Sequence, residues 1–152
     1  MRPSISEQLR GTRRILIELI GPEVSSAYAS DVLRGAVANL EMLEHAWPKV
    51  LAFLAWDNAG TATLLEQLAP HVATHLAERA RAALAVTVDD PFDVDAQSAR
   101  NDALRGVLAD AIPELAAGDD RAATVLAAVR AHLVERVARY PLAMTGGLPA
   151  HR

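Results

Sequence analysis

Apolar residues recur every three or four positions through most of this chain, the spacing that lines one face of a helix. The first run places Ile5, Leu9, Leu16, Leu19 and Ile20 in phase behind Ser4, with Glu7 three residues on as a capping box, and Gly21-Pro22 as a stop. The second run begins near Ser26 or Ser30 and steps through Leu33, Val37, Leu40, Leu43, Trp47, Leu51 and Leu54. Pro48 falls inside it, so this helix either bends there or restarts with the proline in its first turn. Asp57-Asn58-Ala59-Gly60, in which Asp, Asn and Gly are poor helix formers, reads as its end and as a short connection into an antiparallel hairpin. A third helix then covers about Thr61–Val86, with the same choice at Pro70.

The segment 88–95 loses the periodicity and carries Asp89, Asp90, Asp93 and Asp95, so it is read as an acidic loop. A fourth helix runs from Ala96 to Ile112 behind Asp95 as cap, and Pro113 and Gly118 bracket a short extra turn. A fifth follows Asp119-Asp120 and stops at Pro141, with residues 142–152 as a flexible tail. The expectation is an all-α bundle of about five main helices, two of them long, forming one domain over 1–141. The composition agrees: 51% of residues are hydrophobic, only 4% aromatic, and Ala and Leu fill the helix faces.

Cysteine is absent, which removes disulfides, thiol catalysis and Cys-ligated metals. A net charge of −4 argues against a nucleic-acid partner. No apolar run approaches the ~20 residues a membrane span needs, and neither a secretory signal nor a lipidation motif is evident. These features suit a soluble, cytoplasmic, bacterial protein with no membrane partner and no cofactor.

Polar residues inside apolar arcs are the candidates for chemistry. Glu44 lies about 60° from the centre of the second stripe, counted at about 100° per residue, and His75 and Arg79 fall in the apolar arc of the third helix. In the hairpin these three would meet, as a polar clamp fixing helix register or as the convergent groups of a pocket for a small anionic or amphipathic molecule. His71 and His75 stand one turn apart with Glu78 three further on, a spacing compatible with a metal and so with metal-assisted hydrolysis. Val72 occupies the position where zinc proteases carry their glutamate, so that motif is missing. Arg10, Arg13 and Arg14 read as a solvated face balanced by Glu7 and Glu18. Ile17, Met42 and Trp56 lie off the main stripes and are the candidates for an interface. The reading that follows is a non-catalytic helical interaction module that self-associates, as a homodimer.

Overall fold

The computed structural model describes residues 3–141, and within them the chain is all-α, with five helices and no strand. Helix α1 spans Ile5–Ile15, α2 Ala27–Leu68, α3 Thr74–Ala85, α4 Val94–Ala116 and α5 Asp120–Arg139. A π-helical turn, Leu16–Ile20, and a 3₁₀ turn, Gly21–Glu23, continue α1, and a second 3₁₀ turn, Ala69–His71, follows α2. The expected tail, 142–152, lies outside the described residues.

Local chemistry sets the ends. Ser4 and Glu7 form the reciprocal capping box: the Glu7 amide donates to Ser4 Oγ, and the Ser4 amide donates to Glu7 Oε2 at 2.7 Å. Asp93 caps α4 through the Ala96 amide, two residues ahead of the expected Asp95, so the acidic loop is confined to 86–93. Asp119 caps α5 as expected, accepting from the Arg121 and Ala122 amides. The N-cap of α3 is Ala73, which has no side chain to offer; Glu114 on α4 supplies the acceptor, 2.7 Å from the Ala73 amide.

Three prolines were weighed as breaks, and they act differently. Pro48 sits inside α2, which runs on without restarting, and α4 likewise continues through Pro113 in place of the expected stop. Pro70 does end a helix: the chain tightens to 3₁₀, passes through extended backbone at Val72 and Ala73, and restarts at Thr74. The largest departure is at Asp57–Gly60. This tetrapeptide stays helical, so α2 reaches 42 residues and the expected hairpin turn does not exist.

The described chain falls into two compact units, one up to Val50 and one from Leu51. The second holds the core. Leu64, Leu65 and Leu68 of α2, Leu76 and Ala80 of α3, Leu104, Leu108, Ala111 and Leu115 of α4, and Ala122, Leu126 and Val129 of α5 are all buried in one cluster. Alanines at 0–2% exposure let these helix axes approach closely. At the α4–α5 turn even a methyl is too much, since a Cβ on Gly118 would come within 2.5 Å of the Ala122 Cβ.

Truncating Leu104, which is fully buried, to alanine should lower the unfolding free energy by about 2–5 kcal/mol in urea titration. Val134→Ala on the exposed face of α5 should change it by no more than about 0.5 kcal/mol.

Candidate functional site

Four polar side chains are buried among the described residues, Asp57, Asn58, Thr61 and Asn101, and they meet at one place in the second unit. Asp57 is fully enclosed. Its Oδ2 accepts from Asn101 Nδ2 and from Arg136 Nε, both at 2.8 Å, and its Oδ1 accepts from His132 Nε2 at 2.9 Å. An ionised carboxylate only accepts, so the proton of His132 sits on Nε2. Thr61 Oγ1 lies 3.4 Å from the same nitrogen. Asn101 also donates to Asn58 Oδ1 at 2.9 Å, and Asn58 Nδ2 donates in turn to the Gln97 carbonyl and side chain.

An aromatic shell encloses this network. The Trp56 indole stacks on the His132 ring at 4.8 Å, and the Arg139 guanidinium covers the indole at 4.6 Å. Arg136 lies over Phe53 at 5.4 Å and Tyr140 at 5.6 Å, and those two rings meet edge to face. Gly60 leaves room for the imidazole: a Cβ there would stand 2.5 Å from His132 Cε1. Burial works to raise the Asp57 pKa, but the hydrogen bonds from Asn101, Arg136 and His132 outweigh it and hold the carboxyl below its ordinary value of 3.8. The group is therefore a charge tying α2 to α4 and α5, with each oxygen already engaged.

The residues singled out in the sequence are placed differently. The Asp57–Gly60 turn on which the expected cluster depended is absent, and Glu44 and Arg79 each have a partner within their own unit. Glu44 Oε1 accepts from Arg10 Nε and from Arg10 Nη2 at 2.7 Å, and Arg13 approaches its Oε2 at 3.5 Å. The Arg10 hydrogen bonds lower the Glu44 pKa against the opposing effect of desolvation, helped by the charges of Arg10 and Arg13. Arg13 also pairs with Glu41 at 3.1 Å, and Arg14 with Glu18 at 3.2 Å, so Arg10 and Arg13 are tied to α2 while Arg10 and Arg14 stay largely in water. Arg79 pairs with Asp110 at 2.7 Å, and His75 and Glu78 are exposed. The break at Pro70 leaves His71 on the 3₁₀ turn and His75 on α3, so the one-turn spacing of a continuous helix is lost. No group of three or more His, Asp or Glu is placed to hold a metal among the described residues.

Of the expected interface residues, Ile17 is 54% exposed, Met42 is partly covered, and Trp56 is taken up by His132. Ile17 stands at the rim of an open groove of about 420 Å³ in the first unit. Leu16 and Gly21 line it from the α1 side, and Leu33, Val37 and Ala38 from α2, together with the polar Arg34 and Glu41. The π turn forms part of this wall, a backbone irregularity that often accompanies functional sites.

Comparison with protein-family models, curated proteins and solved structures finds no match to this chain. No described helix is long and apolar enough to cross a membrane.

Replacing Asp57 by alanine should cost about 3–5 kcal/mol, because Arg136 and His132 lose their acceptor in a buried place. A carboxyl with a depressed folded-state pKa contributes stability that is complete above its unfolded value and is lost as pH falls through the folded one. Asp57→Asn should therefore be less stable than the parent at neutral pH, and the gap between the two should narrow below about pH 4. Chemical denaturation across pH measures both.

Proposed function

We propose that this protein is a non-catalytic helical interaction module that self-associates through its first unit. The supporting observation is the imbalance between the two units. Up to Val50 the only buried residue among those described is Ala46, and α1 buries none. The same stretch leaves Ile15, Ile17, Leu19, Ile20, Tyr28 and Val32 between 45% and 79% exposed. A helical hairpin with that much uncovered apolar surface resembles half of a four-helix bundle, which a second copy completes.

Charge favours a like partner. Residues 1–50 carry six Arg and Lys against six Asp and Glu, whereas residues 51–143 carry eight against thirteen. The apolar surface thus lies on a neutral unit, so two copies meet there without net repulsion, and neither an anionic lipid surface nor a nucleic acid is especially attracted. The apolar groove beside Ile17 favours a second reading, a seat for a small amphipathic molecule.

Sedimentation velocity over a wide concentration range should show the 16.2 kDa chain passing to a species of twice that mass. Val32→Asp, on the exposed surface of α2, should shift the midpoint to higher concentration by tenfold or more while leaving the helical circular dichroism unchanged. A monomer at every concentration, well above micromolar, overturns the proposal.

A further inference from the structure

Helix α2 carries two apolar stripes in the first unit. Leu33, Val37 and Leu40 are partly covered and share their arc with Glu44, which is held by Arg10 of α1. Counted at about 100° per residue, Tyr28, Val32, Ala36, Asn39, Leu43 and Trp47 form a second arc centred roughly 100° away. This second stripe is open: Tyr28 is 79% exposed, Val32 55%, Leu43 45% and Trp47 44%, and Ala36 and Asn39 are exposed with them. Its steps of four, four, three, four and four are those of a seam that receives another helix, and it contains a single polar residue, Asn39, near its middle.

Resting on the self-association reading above, we infer that the second copy lies antiparallel along this stripe, α2 against α2, about a twofold axis next to Asn39. That register sets Val32 of each copy opposite Trp47 of the other, and Ala36 opposite Leu43, so a small side chain faces a large one at each level. It also brings the two Asn39 amides together at the axis, where each satisfies the other. Charge selects the direction. Asp31 and Lys49 share one edge of the stripe, both exposed, one at each end. Antiparallel helices set like edges side by side, so Asp31 of one copy approaches Lys49 of the other twice per dimer. Parallel pairing would leave them about 27 Å apart along the axis, at 1.5 Å per residue. Arg34, which holds Asp31 within the chain, lies farther from the stripe and leaves one carboxylate oxygen for the partner lysine.

The chain has no cysteine, so single substitutions report contacts without interference. Val32→Cys mixed with Trp47→Cys should give a disulfide-linked heterodimer under mild oxidation, and neither variant alone should cross-link. Ala36→Cys mixed with Leu43→Cys should behave the same way and covers the loss of the indole. As a measurement that leaves the seam intact, Asp31→Lys and Lys49→Asp should each weaken the dimer about three- to tenfold, and mixing the two should restore it as a heterodimer. Cross-linking of Val32→Cys or Ala36→Cys with itself shows parallel pairing and overturns the arrangement. A dimer in which no pair cross-links and the charge variants have no effect overturns the arrangement and leaves self-association standing through another face. A full-length chain that stays monomeric removes both.

Discussion

The Asp57 carboxylate is the constraint around which the second unit is organised. A fully enclosed anion is costly to desolvate and is tolerated only where donors replace the lost water. Here the donors come from two other helices, Asn101 on α4 and His132 and Arg136 on α5, so the charge is satisfied only when all three helices are in place. The leucine and alanine core around Leu65, Leu104 and Val129 supplies most of the driving force, but leucine faces slide past one another with little penalty. Hydrogen bonds of fixed direction do not, and they give the bundle one register out of several that the apolar surfaces would accept.

That network explains where the sequence could be read and where it could not. The all-α class, the Ser4–Glu7 box and the Asp119 cap follow from short-range rules, and the structure has them; at Pro70 the same rules allow a bend or a restart, and the structure has the restart. Asp57-Asn58-Ala59-Gly60 looked like a stop because each of Asp, Asn and Gly weakens an isolated helix. In the folded chain Asp57 and Asn58 are held by groups more than 35 positions away, and Gly60 is the only residue that admits the His132 ring. Long-range bonds thus override local preference. A signal was present: Asp57 and Thr61 fall in phase with Leu54, Leu65 and Leu68, and His132 and Arg136 are one turn apart beside Val129. It becomes visible only when the helix is read through the tetrapeptide. A turn at Asp57–Gly60 is also what would bring Glu44 to His75 and Arg79; in the continuous helix Glu44 is held by Arg10 and Arg13 of α1.

The two units contrast in what they do with their apolar residues. From Leu51 onward, helices α2 to α5 bury theirs against each other. Before it, α1 and the start of α2 are joined by ion pairs, Arg10 and Arg13 with Glu44 and Arg13 with Glu41, while much of the aliphatic surface stays outside. Ion pairs give back much of their attraction in desolvation when they are partly covered, as Glu44 and Arg13 are, so this hairpin has a defined internal geometry but gains little from apolar burial. Such a segment gains more from a covering surface than a finished core would.

The hydrogen bond from Ala73 to Glu114 spans 41 residues, so the start of α3 depends on a side chain that is made later. A growing polypeptide that has not yet reached position 114 lacks the acceptor for the start of α3. That helix, only 12 residues long, is too short to hold itself in water. Until α4 has emerged, the stretch after Pro70 has only the α2 leucines to rest on, and neither its first turn nor its side of the core can be completed.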